Sequence, residues 1–178
     1  MVNTDEIVYP TENVPCEVPD PVENLEFTGR MIGKASTRRW DDPRWTDITI
    51  YVTGGGNYVV QKEGVSLVYH RAEASCRGGK QATNSQILEG SRPCHLCRPP
   101  SLNELDEIQM NAGPEGDPAR YRREITMSSG KVTDDPNKVV PLLFYQGRLT
   151  TVAAEAFAIA AANDKRLGEV FNRVKTIA

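Results

Sequence analysis

Residues 45–70 read WTDITIYVTGGGNYVVQKEGVSLVYH. Apolar and polar side chains alternate over residues 48–53, and the alternation resumes after three glycines. A period of two is typical of a strand with one buried face. The glycines and the pair Glu63-Gly64 are turn signals between such strands. The stretch therefore predicts a three-stranded antiparallel meander whose last strand covers residues 65–70.

The end of this meander begins a set of four candidate metal ligands, His70, Cys76, Cys94 and Cys97. Thiolate sulfur and imidazole nitrogen are the ligands that zinc prefers, and a C-x-x-C pair lets two sulfurs reach one ion from a tight turn. Four such ligands would close a tetrahedral structural site. The polar stretch between Cys76 and Cys94 needs an anchor of this kind because it lacks apolar residues for a core of its own. The sequence therefore predicts zinc as the cofactor.

Other interpretations of the cysteines stay open. The C-x-x-C pair could be a redox dithiol, although Pro93 before it and Pro99-Pro100 after it leave no helix to start on the second cysteine. The four cysteines of the chain could form disulfides, although the acidic N-terminus has no secretory character. They could also be reduced cysteines that pack in a core.

The N-terminal segment differs in composition from the rest. Residues 1–29 carry seven carboxylates, four prolines and no Lys or Arg. Such a segment buries too little apolar surface to offset its ordering entropy. We expect a disordered acidic arm that runs into a basic linker, and we expect Cys16 in this arm to be no metal ligand.

Helical signals dominate the C-terminal part. Ser101 and Glu104 have the spacing of a capping box, which predicts a short helix before a linker. A stripe of small and apolar residues after Thr150, interrupted at Asn163-Asp164, predicts a helical hairpin. Because two short helices cannot stand alone, we expect the hairpin to dock either on the sheet or on its copy in a homodimer.

These segments predict an α+β chain, in which a small β meander with a zinc-type knuckle precedes the C-terminal helical hairpin. The expected division is a disordered arm and basic linker over 1–39, a zinc-stabilised β module over 40–100, short helices and a linker over 101–136, and the hairpin over 137–178.

The module over residues 40–100 also resembles a known unit. The motifs WTDITIY from Trp45, GVSLVYH up to His70 and PCHLCRPP from Pro93, with Cys76 between the last two, are similar to a small module in uncharacterised proteins of actinobacteria and their bacteriophages. The resemblance implies that His70 and the three later cysteines belong to one unit, and it implies an actinobacterial or phage source. It implies no activity.

Clusters of arginine supply an alternative function. Basic residues interleaved with tryptophan can form a surface for stacking and phosphate binding. A net charge of -3 and the carboxylates next to both clusters weigh against nucleic acid as the main partner. The candidate nucleic-acid-binding residues are Arg38, Arg39, Arg44, Arg120, Arg122 and Arg123.

Enzyme functions are harder to support. Both histidines, His70 and His95, lie in the metal neighbourhood, so no nucleophile has a separate histidine base. A zinc deaminase has a glutamate two residues after its ligand histidine, whereas Glu73 comes one residue later than that. No apolar run is long enough to cross a bilayer.

We therefore expect a non-enzymatic phage or actinobacterial accessory protein in the cytoplasm, which in the case of a phage is that of the host cell. Its partner would be a host or phage protein. A nucleic-acid-binding zinc protein is the alternative, and a zinc-dependent hydrolase or deaminase-like enzyme is the minor alternative.

Overall fold

The computed structural model describes residues 7–39, 41–71, 80–81, 92–94, 97, 101–110, 121–124 and 126–177. The chain divides into two compact units. Unit 1 comprises Met1–Thr37, Thr46–Glu63 and Ser128–Ala178, and unit 2 comprises Arg38–Trp45 and Gly64–Met127.

Strands come first and helices mostly last, so the chain belongs to the α+β class, as its sequence predicts. The described elements in chain order are β1 (Val14–Val18), β2 (Leu25–Ser36), β3 (Arg44–Thr53), β4 (Tyr58–Ser66), β5 (Val68–Arg71), β6 (Lys80–Gln81), β7 (Arg92–Pro93), α1 (Leu102–Met110), β8 (Tyr121–Arg123), β9 (Met127–Thr133), a 3-10 helix (Pro136–Lys138), α2 (Val139–Leu143), α3 (Thr151–Asn163) and α4 (Lys165–Ile177). One antiparallel sheet has the strand order β1-β2-β3-β4-β9, and a second sheet has the order β6-β8-β5-β7.

Strands occupy much of the segment for which composition indicates a disordered arm and a basic linker. β1 and β2 pair antiparallel, with Val18 opposite Leu25 and Glu17 opposite Glu26. Both glutamates are exposed, whereas Val18 is fully buried. Composition counts the charges of the whole segment without regard to the direction in which each side chain points. In a strand, successive side chains point to opposite faces, so the carboxylates can lie on a different face from the apolar residues.

The expected meander forms only in its first two strands. β3 and β4 are neighbours, and the Thr53 N–H donates to the Asn57 carbonyl at 2.8 Å across the glycine turn. The pair Glu63-Gly64, a turn signal in the sequence, instead lies inside β4, because β9 lies beside β4 and extends the hydrogen-bonded ladder. β5 belongs to the second sheet. The turn predicted at Glu63-Gly64 is therefore wrong.

The region around residues 128–137 has regular structure where composition indicates a linker. β9 is an edge strand, and the N–H of Gly130 donates to Oδ2 of Asp20 at 2.9 Å. A Cβ at Gly130 would lie 2.6 Å from the side chain of Leu25 and 2.8 Å from that of Val18, so a larger residue would force these side chains to move. The Asp20 contact occupies an N–H on a strand edge, which limits pairing with another chain.

The C-terminal hairpin docks on the sheet of unit 1. α3 packs on β2 at Gly33, where an added Cβ would lie 2.5 Å from the Ala156 carbonyl oxygen and 2.8 Å from the Ala160 Cβ. β2 has a bulge at Ile32, whose carbonyl accepts from Nδ2 of Asn163 at 2.9 Å. The small residues of α3 therefore serve close packing of a helix on a sheet, while the homodimer through this hairpin stays a prediction.

Side-chain caps start the helices where the sequence predicts them. Thr150 Oγ1 accepts the N–H three residues ahead at 3.3 Å and begins α3. Asp164 Oδ1 does the same for α4 at 3.0 Å. Ser101 Oγ accepts from the Glu104 N–H at 3.2 Å and begins α1. Each cap satisfies a backbone N–H that has no partner within its helix.

The core of unit 1 lies between its sheet and helices α2 to α4. Its largest fully buried members come from strands and helices alike and are at most 1% exposed: Tyr58, Ile32, Ile48, Ile50, Leu143 and Leu167.

Candidate metal centre

Strand β5 carries His70 into the interior of unit 2. β5 lies between β7 and β8, pairing in parallel with β7 through Val68 opposite Arg92 and antiparallel with β8 through His70 opposite Arg122. His70 is only 2% exposed. Because β5 is paired on both sides, the backbone of His70 is fixed, and the direction of its ring depends on the side chains around it.

The C-x-x-C pair forms a turn at the end of β7. The Cys94 N–H donates to the Tyr69 carbonyl at 2.8 Å, which continues the parallel ladder beside His70. The Cys97 N–H then donates to the Cys94 carbonyl at 3.0 Å and closes the turn. The ladder places the first sulfur beside the imidazole, and the turn returns the second sulfur to the same place.

The ligand atoms of His70, Cys94 and Cys97 converge, all within 4.8 Å of one another. His70 Nδ1 is 3.9 Å from Cys97 Sγ. Bonds of about 2.3 Å to sulfur and about 2.0 Å to nitrogen place such a ligand pair about 3.5 Å apart around a tetrahedral zinc. Cys94 is 6% exposed and Cys97 is half-buried. Small shifts of the ligand atoms would therefore allow this cluster to hold a metal ion.

Glu124 lies against the other nitrogen of the His70 ring. Its Oε1 is 2.9 Å from His70 Nε2, and its Oε2 accepts from Ser66 Oγ at 2.7 Å. Arg44 forms a bidentate pair with the same carboxylate, from Nε to Oε2 at 2.8 Å and from Nη2 to Oε1 at 2.5 Å. The hydrogen bonds from Arg44 above all, and those from Ser66 and His70, lower the pKa of Glu124 to about 2. The carboxylate is therefore ionised at neutral pH.

The same pairing acts on Arg44, whose pKa is raised above all by its hydrogen bonds to Glu124.

A second ion pair joins α1 to the strand that carries His70. Arg71 Nη2 lies 2.9 Å from Glu104 Oε2, and both side chains are largely buried. Glu104 is also the third residue of α1, where Ser101 caps the helix. The first turn of α1 thus places a carboxylate against β5.

Three of the four ligands predicted from the sequence come together in this way. Cys76 lies outside the described residues. Cys16, which was expected to be no ligand, lies in β1 of unit 1, where burial raises the pKa of its thiol.

Three of the arginines proposed for nucleic-acid binding have described side chains, namely Arg38, Arg39 and Arg44. Arg44 is engaged with Glu124, and the Arg38 guanidinium stacks over Trp45 at 4.4 Å from the ring centre. Arg39 is exposed. The remaining three are Arg122 and Arg123, of which the structure describes only the backbone in β8, and Arg120, which lies outside the described residues.

Sequence reasoning missed Glu124. It follows two arginines and therefore has the pattern of a solvated charged face, yet its side chain is only 13% exposed. Its partners Arg44 and His70 are 80 and 54 residues away, so no local spacing connects them. Ser66 and His70, four residues apart, both contact this carboxylate.

No protein-family model, curated protein or solved structure matches this chain. Among the helices of the described residues, none has both the length and the apolar character needed to cross a membrane.

Proposed function

We propose that this protein is a non-enzymatic accessory protein whose unit 2 is built around a structural zinc ion and binds a protein partner. The proposal takes His70, Cys94 and Cys97 as ligands and Cys76 as the fourth. The observation that carries it is the convergence of two sulfurs and one imidazole nitrogen in the interior. This donor set suits zinc, whereas magnesium and calcium prefer oxygen ligands.

The burial of the ligands supports a structural ion. His70 and Cys94 are 2% and 6% exposed. A catalytic zinc keeps one coordination position open to substrate, whereas a fourth protein ligand at Cys76 would close the tetrahedron. The second nitrogen of His70 contacts Glu124 and so is not available as a base for a substrate.

The short strands of unit 2 are the structure that a bound ion would stabilise. β5 to β8 have between two and four residues each. Sheets of such short strands have little stability by themselves. An ion that joins His70 on β5 to the turn after β7 would add its binding free energy to folding.

A protein partner fits the arginine side chains better than nucleic acid does. Arg44 is paired with Glu124, and Arg38 stacks on Trp45, so each already has an intramolecular partner. We place the protein in the cytoplasm of an actinobacterium or of a phage-infected host, where reducing conditions keep cysteines available as metal ligands.

Metal content and metal removal test the zinc proposal. Protein purified under reducing conditions should contain close to one zinc per chain. A chelator should then change the fluorescence of Trp45, measured in a Trp40→Phe variant, because Trp45 belongs to unit 2. Helical circular dichroism should persist, because α3 and α4, the longest of the described helices, belong to unit 1. Purified protein that contains no zinc, and whose Trp45 fluorescence does not change when a chelator is added, would refute the proposal.

A paired binding experiment tests the partner class. The zinc-loaded protein should retain a protein from host lysate that Cys94→Ser protein does not retain. Binding to DNA and RNA is measured across a salt series, and weak binding that disappears at about 0.2 M salt would be incidental charge attraction. A steep, reproducible salt slope with a defined site size would favour a nucleic-acid-binding zinc protein instead.

A further inference from the structure

His70 presents its two ring nitrogens to two different partners. Nε2 lies 2.9 Å from Oε1 of Glu124, and Nδ1 lies 3.9 Å from Sγ of Cys97. The neutral imidazole that binds a metal has one N–H and one lone pair, and the Glu124 carboxylate, whose two oxygens both accept hydrogen bonds from Arg44, is an acceptor for the ring as well. The nitrogen beside Glu124 therefore carries the proton, and the lone pair points towards the sulfurs.

We infer that Glu124 is a positioning residue of the metal site, which holds His70 in the Nε2–H tautomer and aims Nδ1 at the ion. This inference rests on the proposed zinc site and names the atom that binds the metal. A carboxylate that accepts a hydrogen bond from a ligand histidine fixes the ring orientation and raises the basicity of the ligand nitrogen.

Glu124 is itself held from several directions. Arg44 binds both carboxylate oxygens, and Ser66 donates to one of them. The Glu124 N–H donates to the Val68 carbonyl at 2.9 Å, which fixes its backbone beside β5. Contacts within unit 2 therefore fix the position of the carboxylate, which limits the conformational freedom of the His70 ring that it contacts.

The same geometry argues against Glu124 as a metal ligand. Its oxygens contact Nε2, whereas the sulfur of Cys97 lies near Nδ1. The two nitrogens of an imidazole direct their bonds to different sides of the ring, so one ion cannot bind both the sulfurs and Glu124 through this arrangement.

Cobalt(II) affinity tests the role of Glu124. Co²⁺ serves as the probe because its visible spectrum reports tetrahedral thiolate coordination, and its affinity is measured in competition with a chelator. Glu124→Gln keeps the size and an accepting oxygen but removes the charge, and we expect it to weaken Co²⁺ binding about 10- to 100-fold. Glu104→Gln is the matched control, because it makes the same change at a carboxylate that pairs with Arg71; its affinity should stay within about twofold of wild type.

Nitrogen-15 NMR tests the tautomer without any change at Glu124, so the inference stays testable if Glu124→Gln fails to fold. Protein with His95→Asn has His70 as its only histidine. In the zinc-loaded form we expect Nδ1 to have the shift of a metal-bound nitrogen and Nε2 that of a protonated one. Metal on Nε2, or a proton on Nδ1, would overturn the inference.

The outcomes separate the inference from the proposed function. A wild-type protein that binds neither Zn²⁺ nor Co²⁺ would refute the zinc site and the inference with it. Wild-type binding that Glu124→Gln leaves unchanged would keep the zinc site and overturn only the role of Glu124.

Discussion

Nδ1 of His70 and Sγ of Cys97 lie 3.9 Å apart, although 27 residues separate them in the sequence. The contact arises because β5 and β7 pair in parallel and because the turn after β7 returns the chain towards β5. The pairing of β5 with β7 therefore also brings the ligand atoms together. An ion bound there would join two strands that pair over only a short length.

Replacement of Cys94 by Ser should remove the metal. The variant exchanges a buried thiolate for a weak oxygen ligand, so we expect zinc content to fall from close to one per chain to a small fraction of that. Cys16→Ser is the control, because Cys16 lies in β1 of unit 1, and it should keep its zinc. Elemental analysis of both proteins measures this, and equal zinc content would mean that Cys94 is a packing residue.

Replacement of Gly33 by Ala should destabilise unit 1. The new Cβ would lie 2.5 Å from the carbonyl oxygen of Ala156, so α3 must move away from β2, which costs about 1–3 kcal/mol in the free energy of unfolding. Gly55→Ala is the control, since its nearest neighbour would be Thr53 Oγ1 at 3.8 Å, and it should change stability by less than about 0.5 kcal/mol. Urea unfolding followed by circular dichroism compares them; equal stability would contradict the packing described for α3.

Replacement of Tyr58 by Phe should also destabilise unit 1. The buried Tyr58 hydroxyl donates to Asp164 Oδ1 at 2.8 Å, and a hydrogen bond to a charged group contributes about 1.5–3 kcal/mol. Tyr145→Phe, at a side chain that is more than half exposed, should have little effect. Chemical unfolding at pH 7 measures both changes.

The same pair predicts how stability depends on alkaline pH. Burial above all, and then the hydrogen bond to Asp164, raises the pKa of Tyr58 in the folded protein. Its contribution is therefore complete below the unfolded-state pKa of about 10 and is lost as the pH rises beyond it. The stability difference between wild type and Tyr58→Phe should be constant from pH 7 to 9 and shrink above pH 10. A difference that does not change up to pH 11 would contradict this assignment.

Replacement of Asp20 by Ala should lower the free energy of unfolding of unit 1, because it removes the acceptor of the Gly130 N–H in the edge strand β9. The hydrogen bond from the Gly130 N–H, followed by that from Val22, lowers the pKa of Asp20 in the folded protein. The contribution of this carboxylate is therefore present above the unfolded-state pKa of about 3.9 and is lost as the pH falls below it. Unfolding at pH 7 should show Asp20→Ala to be less stable than a Glu12→Ala control, and the gap should narrow at pH 3. A stability difference between the two variants that persists at pH 3 would show that the charge of Asp20 does not contribute to stability.

Local patterns predicted the parts of the fold that depend on neighbouring residues. The helix starts at Ser101 and Thr150 could be predicted because a cap joins residues only three apart. The grouping of His70 with Cys94 and Cys97 could be predicted from donor chemistry, without any knowledge of the strand pairing.

Long-range partners account for what the sequence did not show. Glu63 and Gly64 continue β4 because β9 lies beside them, and β9 comes more than 60 residues later in the chain. Glu124 was missed for the same reason, since its partner Arg44 is 80 residues away. Neither relationship leaves a spacing that can be read from a single sequence.

Zinc K-edge X-ray absorption of the purified wild-type protein tests the central claim most directly, because it measures the atoms around the ion. The account predicts at least two sulfur ligands at about 2.3 Å and a histidine nitrogen at about 2.0 Å. Protein that binds no zinc, or zinc surrounded only by oxygen and nitrogen, would contradict it.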